Sequence, residues 1–303
     1  MQKPKIKETR VYKTDVVLKS AAENELQENE YLFSGTIYNK DGNVIREIQY
    51  NTSGEATQEY VYKYNEKGFL VEEILQEEDG FIAEHKSFER DDEGKILREF
   101  RHYMDESFDT ITYHYGNEGL LVKKETIDPD GDLESTEEFV YENGVLVRVI
   151  IKDEDGEILS DKKQSVNEQG KPLELLDYDA STGNLRKSVN SYYPSGNKKE
   201  ALVYTGNDQL IEKVMLKEDD KGHIVQVVEE TLQKKNITNF TYDERGNVIY
   251  QEEFDRNGEI VSHVKRQFDE HNNLITSEVF IDGGGRGLSR NYSLRQEYDY
   301  FEE

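Results

Sequence analysis

Carboxylates are the side chains of this chain that come closest to a recognisable chemical site. The runs Asp128-Pro129-Asp130-Gly131-Asp132 and Asp153-Glu154-Asp155-Gly156 resemble fragments of calcium-binding loops. Calcium takes about six to eight oxygen ligands, and an EF-hand loop needs about twelve residues that end in glutamate. Both runs are shorter than that and lie beside strand-like segments, so turn formation explains them better than a metal ion does.

Other catalytic chemistry has no clear signature in the sequence. The six histidines show no HxH, HxxxH or HExxH spacing, there is no cysteine for a thiolate site, and neither GxxxxGK[ST] nor GxSxG occurs. With 65 acidic residues, carboxylate pairs occur throughout the chain, and no pair stands out. We therefore predict a protein that is not an enzyme, with no catalytic, cofactor-binding or metal-binding residue and no cofactor.

A short phrase recurs about every 26 residues: an aromatic residue, Asn or Asp, two polar residues, Gly and a hydrophobic residue. It reads YNKDGNV at 38–44, YNEKGFL at 64–70 and YDERGNV at 242–248. A fixed period of this size indicates stacked supersecondary units. Asn or Asp starts a turn, and Gly supplies the positive φ that the turn requires. The predicted turn residues are Gly42, Gly68, Gly94, Gly119, Gly144, Gly170, Gly196, Gly222, Gly246 and Asn272.

The segments between the turns alternate with a period of two. Tyr60, Tyr62 and Tyr64 fall on one side of such a segment, and Val61 and Lys63 fall on the other. This pattern predicts strands. A weaker turn phrase, such as EEDGF at 77–81, lies midway between most of the strong ones, so one strand in each half-repeat gives about twenty strands. The aromatic residues four positions before the turns are predicted to pack across strands: Tyr38, Tyr64, Tyr115, Tyr192, Tyr242 and Phe268.

Composition limits how these strands can be covered. Hydrophobic residues make up 34% of the chain and charged residues another 34%, so little three-dimensional core is expected. Adjacent strands rotate by about 20–25°, and about twenty of them accumulate more than a full turn. We therefore predict an all-β fold: a repetitive antiparallel meander forming an elongated twisted or spiralling sheet. We divide it into an N-terminal cap region (1–30), a single-domain repeat array (31–283) and a C-terminal cap or tail (284–303).

The repeated phrases resemble YD repeats, the Rhs-type repeats of bacterial proteins. The likeness is carried by YDERGNVIYQEEFDRNGEI (242–260), YNKDGNVIREIQY (38–50) and FDEHNNLITSEVF (268–280). The period of 26 with two turns is longer than the usual unit of that family. Repeats of the MORN type are a second possible relative. The resemblance implies a β-shell or ribbon, an association with toxins and carbohydrate binding, although this chain is too short for a full toxin-enclosing shell.

Charge and the N-terminus complete the expectations. The net charge of −27 argues against nucleic acid as a partner and favours a basic protein. No apolar run follows Met1–Lys7, so we expect no membrane insertion and a cytoplasmic location, or a cell-surface or secreted one if a leader has been removed. The first functional hypothesis is a protein-interaction scaffold: an adaptor, chaperone or immunity-type companion of a bacterial toxin or secretion system. The alternative is a carbohydrate-binding cell-surface protein, since twenty tyrosines could offer stacking faces.

Overall fold

The computed structural model describes residues 4–20, 25–283 and 289–302, and these residues form strands joined by short turns. A short 3-10 turn, Glu78–Gly80, lies between the fifth and sixth strands. The 22 strands are β1 Ile6–Ser20, β2 Glu25–Tyr38, β3 Val44–Tyr50, β4 Ala56–Tyr64, β5 Leu70–Glu77, β6 Ile82–Arg90, β7 Ile96–His102, β8 Phe108–Tyr115, β9 Leu121–Ile127, β10 Leu133–Glu142, β11 Val145–Asp153, β12 Ile158–Val166, β13 Pro172–Asp179, β14 Asn184–Tyr192, β15 Lys198–Thr205, β16 Leu210–Glu218, β17 Ile224–Thr231, β18 Lys235–Tyr242, β19 Val248–Phe254, β20 Ile260–Phe268, β21 Leu274–Ile281 and β22 Arg290–Tyr300.

Most strands that follow one another in the chain pair antiparallel, as in the hairpins β3–β4 and β4–β5. Most hairpins contain one register shift beside the turn, as between Lys63 and Tyr64. Such a bulge accompanies a type I turn whose last residue is left-handed. The prediction of an all-β antiparallel meander is confirmed.

The predicted shape of that meander is wrong. All 22 strands belong to one sheet, and β1 pairs with β2 on one side and with β22 on the other. The sheet is therefore a closed antiparallel barrel and not an elongated open or spiralling sheet. An open sheet leaves a row of unpaired N–H and C=O groups on each terminal strand, and pairing the first strand with the last satisfies both rows. We call the β1–β22 pair the seam.

The chain divides into two compact units. Unit 1 contains residues 1–85 and 238–303, and unit 2 contains residues 86–237. Among the described residues, the buried hydrophobic side chains are Ile48 and Leu75 in unit 1 and Ile111 and Ile150 in unit 2. The core of each unit is therefore small, and cross-strand pairs carry much of its stability.

The two ends of the chain contribute strands to unit 1. The region 1–30 contains β1 and the start of β2, and the region 284–303 contains β22. In the sequence, residues 20–30 suggest a short helix or a loop, but β2 begins within them at Glu25. From Gly283 the run GGGRG is predicted to break the repeat pattern, and its residues 284–287 lie outside the described residues.

Candidate functional site

Nine of the ten predicted turn residues form one kind of turn, in which their N–H donates to the carbonyl three residues before. The nine glycines have φ between 72° and 91°, and Asn272 has φ 66°. In the turn before Gly68, the Gly68 N–H donates to the Asn65 carbonyl at 2.9 Å, and the Asn65 side-chain oxygen accepts N–H bonds from Lys67 and Phe69 at 3.0 Å. Eight others of the predicted set repeat the backbone bond, whereas Asn143 and Gly144, both with positive φ, form a two-residue turn between β10 and β11.

Several of the predicted aromatic residues anchor neighbouring hairpins. The hydroxyl groups of Tyr64, Tyr115 and Tyr192 donate to backbone carbonyls of earlier strands at 2.7–2.8 Å. Tyr298, which the sequence did not single out, does the same to the Leu274 carbonyl at 2.8 Å. Burial raises the pKa of Tyr298 to about 12, which keeps its hydroxyl protonated as a donor. Tyr38, Tyr242 and Phe268 lie at the ends of β2, β18 and β20.

The acidic runs that resemble calcium loops form turns. The Asp128 side chain accepts backbone N–H bonds from Asp130 and Asp132 at 3.0 and 2.9 Å. The Asp153 side chain accepts the Glu157 N–H at 2.8 Å. Within the part of the chain that the structure describes, no group of three or more His, Cys, Asp or Glu residues could hold a metal ion.

Unit 2 contains the most buried carboxylates. Glu99 is 9% exposed and accepts hydrogen bonds from Tyr113 Oη at 2.8 Å and Arg101 Nε at 3.0 Å. Asp109 is 6% exposed and accepts one from the Tyr103 hydroxyl. Burial, together with its bond to Glu99, raises the pKa of Tyr113. These carboxylates are held by neighbouring side chains, an arrangement that supports the sheet.

Arg10 forms ion pairs across the seam in unit 1, on one face of the sheet. Its guanidinium lies 2.9 Å from Asp299 and 3.6 Å from Glu297 on β22, and 3.1 Å from Glu8 on its own strand. Cross-strand pairs of opposite charge contribute roughly 0.2–1 kcal/mol each to a sheet. Arg10 therefore connects the first strand of the chain to the last.

Arg295 is the second link on that face. It lies 3.0 Å from Glu30 on β2 and 2.5 Å from Glu297 on its own strand. Its guanidinium also lies 4.3 Å from the centre of the Tyr12 ring on β1. One side chain of β22 thus contacts both β1 and β2.

We expect this link to weaken in acid. Hydrogen bonds from Arg295 hold the pKa of Glu30 below its usual value. A carboxylate with a lowered folded-state pKa stabilises the fold above its unfolded pKa of about 4.3, and that stabilisation is lost as the pH falls through the lower, folded value. The stability difference between the wild type and Arg295→Gln should therefore shrink between neutral pH and about pH 3. Urea unfolding at several pH values would measure it, and a difference that stays constant would contradict the ion pair.

The seam does not extend along the whole of β1. The last β1–β22 pair is Asp15 with Tyr292, although β1 continues to Ser20 and stays paired with β2 to the end. On its other side, β22 stays paired with β21 as far as Arg290. Among the described residues, the edge of β1 beyond Asp15 that faces away from β2 has no strand beside it. We call the space where β1 and β22 separate the seam cleft.

The seam cleft has a groove on each face of the sheet, and Val16, Asn291 and Tyr292 line both grooves. The first groove, of about 520 Å³, is the apolar groove. It is also lined by Lys13, Asp15, Phe33, Ile281, Ser289, Arg290 and Leu294. The second, of about 350 Å³, is the acidic groove. It is also lined by Thr14, Glu28, His263, Glu278, Val279, Phe280 and Ser293.

Sequence reasoning missed this cleft. Part of its signal is local, because the sequence pattern predicts a first strand from Thr9 to Leu18, which runs past Asp15. The other half of the signal is where β22 stops pairing with β1, and that depends on contacts between the two ends of the chain.

No protein-family model matches the chain, and no curated protein matches it in sequence. A porin-like protein from Bacteroides uniformis ATCC 8492 aligns with 97% of this chain and 98% of its own, at 8% identity and a TM-score of 0.37. A porin-like protein from Bacteroides vulgatus ATCC 8482 aligns with 98% of this chain and 99% of its own, at 10% identity and a TM-score of 0.25. The Photorhabdus luminescens Tc holotoxin pore structure aligns with 86% of this chain but only 19% of its own, at 12% identity and a TM-score of 0.23. Because these TM-scores are low, the alignments carry no argument about function.

The family prediction is supported only at its coarser level. The chain has the all-β repetitive fold that was predicted with the family. Membership of the YD-repeat family, or of the MORN type, is not shown by any family model.

No helix in the described ranges is long and apolar enough to cross a membrane.

The partner prediction is wrong where it excludes membrane insertion. That exclusion rested on the absence of long apolar segments, which is evidence about helices. Closed barrels are the other architecture that spans bilayers. This chain forms a closed barrel, so the absence of long apolar segments does not exclude membrane insertion. The cytoplasmic location predicted by the same reasoning has no support.

Proposed function

We propose that this chain is a non-enzymatic scaffold that binds another protein at the seam cleft. The observation that carries the proposal is the edge of β1 beyond Asp15, which no described strand covers, with a groove on each side of it. A strand edge with unpaired N–H and C=O groups is a template for pairing with another chain, and native proteins usually cover or blunt such edges. An edge left open beside grooves therefore favours a binding role.

The absence of enzymatic activity is part of the proposal. A general acid or base must reach a substrate. The two most buried carboxylates, Glu99 and Asp109, instead bond to neighbouring tyrosines. The seam cleft offers exposed carboxylates and a histidine beside an unpaired backbone edge, which suits binding better than bond cleavage.

The biological role that we propose is an adaptor, chaperone or immunity-type companion of a bacterial toxin or secretion system. Its motivation is the resemblance of residues 242–260 and their counterparts to YD repeats, and YD-family membership is proposed with it.

Carbohydrate binding is favoured less by the geometry. This alternative depends on tyrosine rings as stacking faces, so it needs several exposed tyrosines near one another. Tyr103 and Tyr178 are 49% and 37% exposed and lie on different hairpins, whereas Tyr64, Tyr115 and Tyr192 direct their hydroxyls into the sheet.

A photo-crosslinking amino acid placed at Val16 or Ile281 tests the proposal in the native host. We expect both positions to give an adduct with the same protein. Positions Glu66 and Glu270, on exposed turns of unit 1, serve as matched controls and should not give it. The partner, once purified, should bind Ile281→Asp about tenfold or more weakly than the wild type, a difference of about 1.4 kcal/mol. Adducts at the control positions alone, or equal affinity for the variant, would contradict the proposal.

A further inference from the structure

We infer that the seam cleft binds an extended segment of its partner, added as a strand to β1, in which apolar residues alternate with lysine or arginine. This inference rests on the proposed function and adds the binding mode and the chemistry of the partner. The backbone edge and the two grooves carry it.

The backbone edge fixes the conformation of the bound segment. β1 runs five residues past its last pair with β22, from Val16 to Ser20, and its pairing with β2 is continuous there apart from one bulge. At about 3.3 Å per residue, this edge is roughly 17 Å long, which is the length of an ordinary strand. An extended peptide that lies about 4.8 Å from it can form the main-chain bonds that β22 no longer makes.

The apolar groove fixes one face of the segment. Phe33 and Ile281 are 39% and 40% exposed, and both line the groove. Lys13 is neutralised by Asp15 at 2.8 Å and lies 5.0 Å from the centre of the Tyr292 ring. Covering this exposed apolar surface favours association, and the gain must exceed the cost of ordering the bound segment. Partner side chains on this face should therefore be apolar.

Arg290 orients the bound segment. It lines the apolar groove at the start of β22, and it repels a lysine or arginine placed on that face. A segment that carries basic residues on one side must therefore direct them to the other face of the sheet.

The acidic groove fixes that other face. Glu28 and Glu278 are exposed and line it, together with Thr14 and Ser293. His263 stacks on Phe280 with 5.0 Å between ring centres. Among the described residues, no lysine or arginine lines this groove, so its two carboxylates favour cations.

The two faces together define a sequence pattern. Successive side chains of a strand point to opposite faces of the sheet. A strand added to β1 therefore places every second residue in the apolar groove and the residues between them in the acidic groove. The matching segment has the form basic–apolar–basic–apolar, which an amphipathic helix cannot present at this spacing.

The heptapeptide Lys-Val-Lys-Ile-Lys-Val-Lys, blocked at both ends, is the probe for this inference. We expect the full chain to bind it about tenfold or more tightly than a scrambled peptide of the same composition, as measured by isothermal titration calorimetry at physiological salt. The scrambled peptide controls for attraction to the net charge of −27. Equal binding of the two peptides would overturn the alternating pattern.

Variants of the protein test the two grooves separately. Glu28→Lys combined with Glu278→Lys should weaken binding of the heptapeptide about tenfold or more, as should Ile281→Asp. Glu66→Lys, which adds the same kind of charge to an exposed turn, should change it little beyond a general salt-sensitive effect. Circular dichroism and urea unfolding check that each variant is folded. If the cleft variants and the Glu66→Lys control lose the same affinity for the heptapeptide, the assignment of the site is overturned.

N-methylation of the peptide tests strand addition itself. Methylating the amides of the valine and isoleucine residues, or those of alternate lysines, removes donors from one edge of the strand at a time. We expect one of the two sets to lower the affinity about tenfold and the other to have little effect. If neither set of methyl groups lowers the affinity although the crosslinked partner is recovered, the scaffold proposal is supported and strand addition is wrong. If no partner is recovered and the peptide fails to bind, both are wrong.

Self-association is the competing occupant of the edge. Analytical ultracentrifugation of the full chain over a wide concentration range should show either no dimer or a dimer that the heptapeptide does not dissociate. A dimer that Ile281→Asp abolishes would assign the edge to a second copy of the chain and overturn the inference.

Discussion

Ile111→Ala is expected to destabilise unit 2 by about 2–4 kcal/mol, because a large buried side chain leaves a cavity that a small core cannot close. Ile111 lies in the middle of β8, opposite Glu99 on β7 and Thr126 on β9, and it is 2% exposed. Urea unfolding followed by circular dichroism measures the loss of unfolding free energy. An unchanged m-value would show that the surface exposed on unfolding is the same in the variant.

Leu97→Ala is the matched control for this substitution. Leu97 lies on the neighbouring strand β7 and is 41% exposed, so its truncation should cost less than about 1 kcal/mol. If both variants lose the same free energy of unfolding, burial of Ile111 does not stabilise unit 2. Its stability would then come from hydrogen bonds between strands and from charged pairs.

The sequence carried the local part of the fold because that part depends on neighbouring residues. Asn65 and Gly68 are three positions apart, and their turn needs only a side-chain oxygen and a positive φ, both of which a single sequence shows. The alternation of Tyr60, Val61 and Tyr62 likewise indicates a strand, and these residues lie in β4.

The closure of the sheet and the seam cleft depend on residues far apart in the chain. Arg10 and Asp299 meet across the seam, although no periodic pattern links them. The polar residues 20–30 suggest a short helix or a loop by composition, but pairing with β1 makes the residues from Glu25 onward a strand. Tertiary context overrides propensity most readily in strands, where cross-strand neighbours decide stability.

The closure itself leads to the largest expected effect. A double variant with Val11→Cys and Gln296→Cys should form an intramolecular disulfide, because these residues lie directly opposite each other on β1 and β22. The chain has no cysteine of its own, so any disulfide reports on this pair alone. Crosslinks that close loops of about a hundred residues or more stabilise by up to about 5 kcal/mol when their geometry is unstrained. The oxidised variant should run faster than the reduced one on a denaturing gel and unfold at higher urea.

Val11→Cys combined with Gln76→Cys is the control for that crosslink. Gln76 lies on β5, and the strands β2, β3 and β4 separate it from β1. With about 4.8 Å between adjacent strands, the two introduced thiols are well beyond the distance of about 7 Å that a disulfide can bridge. The control should therefore stay reduced or form only intermolecular dimers. An open or spiralling sheet would place Val11 and Gln296 at opposite ends and give the same dimers for both variants. A monomeric disulfide in the Val11→Cys, Gln296→Cys variant alone therefore distinguishes the closed barrel from every open arrangement of the same strands.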